Sequence, residues 1–245
     1  MQTIAERIDT IHERIAAAAQ RAGRNPAAIT LIAVTKTQSA RIVAQAVAAG
    51  LTDLGENRVQ EAAEKIELLI ADRARLRWHL IGHLQRNKAR LAVAHFDLIH
   101  SLDSLKLAEA LNRMVDERSL AGQRRLPVLL QFNVSGEASK EGFNLPGGHG
   151  NAPAFAVLLA ELEPLLALPY LEVCGLMTIA PYAERAEAAR PTFHILRELR
   201  DELASRYPQS RWDQLSMGMT DDFEVAIEEG ATLVRVGRAI FGERS

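Results

Sequence analysis

The chain has 245 residues, 48% of them hydrophobic and 24% charged, which is enough apolar material for one large α/β core. A formal net charge of −2 gives no electrostatic attraction to nucleic acid or to an anionic membrane surface. A single cysteine, Cys174, excludes an internal disulfide framework; set in the apolar run LEVCGLM, it is expected as a buried structural thiol in a reducing, cytoplasmic setting.

The N-terminal stretch MQTIAERIDTIHERIAAAAQRAG is charged throughout and lacks the unbroken apolar run of a secretion signal. No segment approaches transmembrane length. Ile4, Ile8, Ile11 and Ile15 recur at helical spacing, which predicts an amphipathic helix over 3–22. After Asn25-Pro26 the pattern changes to short apolar runs. These are ITLIAVTK (29–36), LTDLGEN (51–57), RWHLIG (77–82), FDLIHSL (96–102), PVLLQFNVS (127–135), LEVCGLMT (171–178), DQLSMG (213–218) and ATLVRVG (231–237). Helix-like stretches over 39–49, 57–70, 104–119, 152–168, 183–205 and 221–229 lie between them.

Strands apolar on both faces and separated by helices imply parallel pairing through crossovers. Eight such units in this length predict a (β/α)8 TIM-type barrel with an extra N-terminal helix. The chain is expected to form a single domain over 1–245, with the helix of residues 1–25 packed on the barrel. An open doubly wound sheet is the alternative. The last helix should be short, since only RAIFGERS follows the final strand, and the Gly/Pro-rich loop 144–153 reads as a surface connection.

A parallel barrel binds its ligand at the C-terminal ends of its strands. Those ends carry Lys36, Glu56 and Asn57, His79 and Gly82, Ser101, Asn133 and Ser135, Met177 and Thr178, Ser216 and Gly218, and Arg235 and Gly237. Core packing gives no reason for so many polar and glycine residues there, whereas a shared site does. Lys36 closes an apolar strand, so its amine either stands at the solvated rim or sits in a pocket that lowers its pKa and frees it to attack a carbonyl. SMGMTDD (216–222) sets free amides and Gly218 before a helix start, an anion cradle or an ordinary cap. It follows the seventh strand, and barrels repeatedly bind phosphate between the last two loops, next to the first strand. Arg235 lies between apolar neighbours and needs an acceptor. Glu56 or Glu224 would satisfy a structural role, a ring nitrogen a cofactor role.

His79 and His83 span strand and loop, so no metal site is expected. Arg86, Lys88 and Arg90 read as a solvated helix face. Lys140 and Glu141, after the fifth strand, read either as reaching the barrel mouth or as a plain surface turn.

Together the stretches AVTKTQ (33–38), LGENRVQEAAEK (54–65), WHLIGHLQRNK (78–88), NVSGEASKEGF (133–143), GLMTIAP (175–181), LSMGMTDDFEVAIEEGAT (215–232) and VRVGRAIFG (234–242) resemble the pyridoxal phosphate homeostasis protein family of YggS/PROSC type. The resemblance covers essentially the whole chain. Leu80 departs from the larger residue expected there, and the GGHG loop reads as an insertion. What the resemblance implies is a fold type III barrel like the N-terminal one of alanine racemase, binding pyridoxal 5'-phosphate (PLP). Lys36 would hold PLP as a Schiff base, with Ser216, Gly218 and Gly237 near the phosphate, Arg235 near the ring nitrogen and Asn57 on the cofactor side. Lys140 matches a loop lysine that would handle PLP on its way in or out. The implied role is buffering PLP or supplying it to apo PLP-dependent enzymes, with no catalytic residue assigned and a monomer expected.

The alternative is a PLP-dependent amino-acid racemase. That reaction needs a second acid/base, supplied in alanine racemase by a tyrosine of an additional domain. The chain is expected to end after its barrel, and Tyr170, Tyr182 and Tyr207 fall outside the strand ends. An arginine at the ring nitrogen would also weaken the electron sink.

Overall fold

The computed structural model describes residues 2–118 and 125–242. The first half runs α1 (Ile4–Arg21), β1 (Thr30–Val34), α2 (Ala40–Ala48), β2 (Asp53–Glu56), α3 (Val59–Leu68), β3 (Arg77–Leu80), α4 (Ala89–His95), β4 (Leu98–Leu102) and α5 (Leu105–Arg118). The second half runs β5 (Leu126–Asn133), a two-residue β6 (Phe143–Asn144), α6 (Ala152–Leu166), β7 (Leu171–Met177), α7 (Arg190–Arg206), β8 (Gln214–Ser216), α8 (Phe223–Glu228), β9 (Leu233–Val236) and α9 (Arg238–Phe241). The strands pair in parallel in the order β4-β3-β2-β1-β9-β8-β7-β5, and a parallel β4–β5 pairing closes the ring. With β6 riding on the end of β5, eight barrel strands remain, as the sequence predicts. Closure rules out the open sheet. It also brings β9 beside β1, with Ile32 opposite Arg235.

Strand side chains alternate in direction, so each strand serves two surroundings. One set, including Leu54, Trp78, Leu80, Ile99 and Val234, packs with helix residues such as Val43, Ala62, Leu111 and Phe193 in a continuous apolar layer. A separate cluster of Ile32, Leu98, Leu129, Cys174, Met177 and Leu233 lies on the barrel axis. Full burial of one Leu or Phe side chain contributes ~1.5–3 kcal/mol. The outer layer therefore carries most of the stability, and the axis has room for polar groups. Burial also pushes the Cys174 thiol up to about 11, as an inert structural thiol requires. Gly175 (φ 149°) is required where β7 meets β8, because a Cβ there would stand 1.9 Å from Gln214 O.

Helix α1 starts in a capping box: the Glu6 amide donates to Thr3 Oγ1 and the Thr3 amide to the Glu6 carboxylate. Its buried Ile8, Ile11, Ile15, Ala18 and Ala19 pack towards α8 and α9. Arg7 donates to Ile240 O, Arg24 to Ile227 O, and Arg14 pairs with Glu224. The N-terminal helix thus buttresses the elements that follow β8 and β9.

Some boundaries differ from the sequence reading. The helix expected over 57–70 begins only at Val59, leaving Asn57 in the preceding turn. The one expected over 183–205 is a single 3-10 turn, Ala186–Ala189, followed by α7. Helix α4 is absent from the sequence reading: only two turns long, it buries Ala89, Ala92 and Val93, too few residues to register as a period. The loop after β5 contains β6 and buries Gly148, so it is more than a surface connection. Ser119 and the last three residues of RAIFGERS lie outside the described residues. Among the described residues, no helix is long and apolar enough to cross a membrane.

Candidate functional site

Lys36 stands two residues beyond β1, on the parity of Ile32 and Val34. It is half-buried and lines a cleft of about 350 Å³ with Val34, Gln38, Gly237, Arg238, Phe241 and Gly242. The next residue, Thr37, has φ 66°, a left-handed conformation that a β-branched residue rarely enters. Glu61 holds it there, accepting the Thr37 amide at 2.5 Å. Beneath, the buried Lys65 donates to Thr35 O, Glu56 Oε1 and Glu61 Oε1 at 2.6–2.7 Å. Thr35 Oγ1 donates to the same Glu56 oxygen at 2.6 Å. Burial pushes the Glu56 carboxyl up, against the opposing pull of Lys65 and Thr35. The backbone is thus pinned on both sides of Lys36, at a conformational cost of about 1–3 kcal/mol met by a buried ionic cluster.

A second polar group occupies the barrel interior. The Arg235 guanidinium, 3% exposed, donates through NH1 to Ser216 Oγ at 2.6 Å and through NH2 to Thr178 O at 2.9 Å. Burial pulls it down to about 10, with Asp222 pulling the other way, so it remains a cation at neutral pH. Ser216 Oγ lies 2.8 Å from His100 Nδ1, and His100 Nε2 lies 2.9 Å from His79 Nδ1. His79 Nε2 is 2.9 Å from Asp53 Oδ1, and Asp53 pairs with Arg77 at 2.7 Å. Burial, reinforced by His79 and Arg235, holds His100 well below the ordinary imidazole range. Burial alone would raise Asp53, but hydrogen bonding and charge from His79, with Thr52 and Arg77, carry it below the usual carboxylate value.

At the rim, Asn57 extends the parity of Asp53 and Gly55. Its Oδ1 is buried with no hydrogen-bond partner. Gly82 lies against it so closely that a Cβ would sit 2.5 Å from Asn57 O. Asn57, Gly82, Gln131, Lys140 and Ile179 share a recess of about 220 Å³. Lys140 reaches over it, donating to Ile179 O at 2.8 Å and meeting Glu137 at 3.3 Å, and its partial burial lowers its pKa despite Glu137 and Asp222. Gly218 has φ 89° and packs where a Cβ would meet Ala226 at 2.5 Å. Gly237 brings its backbone against Val34, with 3.2 Å left for a Cβ.

Residues 7–245 match the family described as "Alanine racemase, N-terminal domain". The chain is 48% identical to the pyridoxal phosphate homeostasis protein of Pseudomonas aeruginosa, over 100% of this chain and 97% of that protein. It is also similar to the structure of PipY from Synechococcus elongatus with PLP bound, at 40% identity and TM-score 0.80, covering 98% of this chain and 100% of that one. The chain belongs to the pyridoxal phosphate homeostasis protein family. An alanine racemase of Clostridium difficile shares the fold at 12% identity and TM-score 0.66, with 95% of this chain matching 56% of that one.

For a pyridoxal phosphate homeostasis protein, the sequence-predicted residues fall into four groups. Lys36 and Gly237 line one cleft, Asn57 lines a second recess, Arg235 and Ser216 lie inside the barrel, and Gly218 lies in the loop before α8, against Ala226. Glu56 turns outward to Lys65, and Glu224 pairs with Arg14. Neither acceptor expected for Arg235 is therefore used, and a hydroxyl and a carbonyl take their place. His79 and His83 look in different directions, the first to His100 and Asp53, the second to Asp103 at 3.2 Å. Helix α8 starts at Phe223 with Asp222 at its N-cap, one to two residues later than Thr220-Asp221, and Asp222 accepts the Met219 amide at 2.6 Å. Tyr170 precedes β7 at the far end of the barrel, Tyr207 follows α7, and Tyr182 is 90% exposed in the loop after β7.

Sequence reasoning missed Asp53, His100, Lys65 and Glu61. A period-two count would have found the first two, since Asp53 shares the parity of Asn57, and His100 that of Leu98 on the axis. Nothing local marks Lys65, whose partners lie up to 30 residues away.

Proposed function

We propose that this protein binds PLP at the C-terminal mouth of the barrel, covalently through Lys36 Nζ, and works in the cytoplasm as a monomer that buffers the cofactor or hands it to apo PLP-dependent enzymes. The observation that carries the reading is the company Lys36 keeps. It opens on a cleft walled by Gly237, one strand away from a buried guanidinium, on a backbone locked from both sides. PipY, which binds PLP, aligns over nearly all of this chain.

The residues fit the cofactor. Asn57 Oδ1 is buried and unpartnered, as an acceptor reserved for a ligand would be. Gly237 and Gly218 allow backbone amides to approach the phosphate, although packing against Ala226 alone would also require glycine at 218. Ser216 Oγ is engaged by Arg235 and His100, so its part is to position Arg235 rather than to receive the phosphate. Lys140, folded over the second recess, guards the entrance. Bound there, PLP supplies an aldehyde for attachment and an electron-withdrawing ring. Arg235 stays cationic and donates hydrogen bonds, which leaves a ring nitrogen without a proton and the ring a weaker electron sink. That favours holding over turnover and weighs against a racemase.

The test is to load the purified protein with PLP, reduce it with borohydride and map the adduct by peptide mass spectrometry. The adduct is expected on the peptide containing Lys36, with loss of the near-visible absorbance band. An adduct confined to Lys140, or none, would overturn the assignment. Rapid α-deuterium exchange of L-alanine by the loaded protein would overturn the holding role.

A further inference from the structure

The polar column inside the barrel has a direction, and that direction is set at the end farthest from Lys36. Asp53 opens β2 at the N-terminal end of the barrel, while Ser216 and Arg235 lie towards the C-terminal ends of β8 and β9. Four contacts of 2.6–2.9 Å join them through His79 and His100, and all five residues are at most 5% exposed. A barrel axis is normally filled with branched apolar residues, and an imperfectly satisfied polar column there is costly. An arrangement that leaves no polar atom of the column unpaired follows from Asp53. Its carboxylate can only accept, so His79 must carry its proton on Nε2, leaving Nδ1 as an acceptor. His100 must then donate from Nε2 and accept at Nδ1. The hydroxyl that faces Nδ1 is Ser216, which must donate to it and turn its lone pairs to Arg235.

We propose that Asp53, His79 and His100 are positioning residues that hold Ser216 as a one-way acceptor for Arg235, so that the guanidinium meets the cofactor ring in a single orientation. This rests on the PLP site proposed above. Two further charges act on the column, Arg77 paired with Asp53 at one end and Asp222 acting on Arg235 at the other.

The test uses Asp53→Asn, which keeps the shape but adds a donor. An amide tolerates either direction, because its oxygen can accept from His79 or its nitrogen can donate to it. First, ¹⁵N NMR of the histidine-labelled protein without PLP should give neutral Nε2–H tautomers for both His79 and His100, and two sets of signals for each in the variant. Second, equilibrium dialysis should show PLP held roughly threefold to tenfold less tightly by the variant, the loss expected for one weakened hydrogen bond. An Nδ1–H or cationic imidazole in the unsubstituted protein would overturn the direction of the column. Split tautomers with unchanged PLP retention would overturn the positioning role. Absence of PLP binding in the unsubstituted protein would sink the site assignment instead, while the NMR result would still decide the tautomers.

Discussion

Acidification should weaken this protein through His100, and the size of the effect follows from its burial. The imidazole is wholly buried, hydrogen-bonded at both nitrogens and held well below 6.5, so the folded chain resists protonating it. In the unfolded chain it titrates near the ordinary 6.5. Below that pH the unfolded state therefore binds a proton that the folded state refuses, and stability falls as pH falls. For an imidazole that stays neutral when folded, integrating that difference gives an upper limit of about 2 kcal/mol at pH 5 and about 0.2 kcal/mol at pH 7. Asp53 acts in a lower window. Its folded value is depressed, so its contribution persists above the unfolded carboxylate range and disappears only as pH drops through the folded value. Other groups also contribute to the slope; His95, for one, is lowered by partial burial. The assay therefore compares the protein without PLP with His100→Asn, whose amide can still donate and accept. Urea unfolding at pH 7, 6 and 5 should show the unsubstituted protein losing more than the variant over that interval, by up to about 2 kcal/mol. Equal losses in the two proteins would mean that His100 is protonated when folded or reachable by water, and would refute the reasoning.

Two further outcomes test the surroundings of Lys36. Lys65→Met should destabilise the fold by about 3–5 kcal/mol in urea unfolding, because it strands the Glu56 carboxylate at 0% exposure. Adding Glu56→Gln should recover much of that loss. Gly82→Ala should lower both melting temperature and PLP retention, because a Cβ 2.5 Å from Asn57 O and 2.7 Å from its Cα meets backbone that cannot swing aside.

Much of the architecture is legible in the sequence alone. Eight apolar runs separated by helical stretches are enough for a parallel barrel, because both faces of such strands must be covered. The same pattern picked out the strand ends, and hence Lys36, Asn57, Gly218, Arg235 and Gly237, since ligands gather where barrel loops converge. The resemblance to a family attached a cofactor to those positions.

What the strand ends could not reveal is what stands behind them. Arg235 needs an acceptor, for which the sequence offers a carboxylate or a cofactor nitrogen, and the fold holds it instead on a serine and a carbonyl from other strands. Lys65 reads as one more helix charge, yet it is buried beneath Lys36 among partners from β1, β2 and its own helix. Asp53 and His100 are 47 positions apart and meet only through His79. Local sequence determined elements, parity and the ring of candidate residues, because periodicity and turn chemistry act over a few residues. Only closure of the barrel decided which polar groups face one another across the axis, because burial forces each to find a partner wherever the fold brings one within reach.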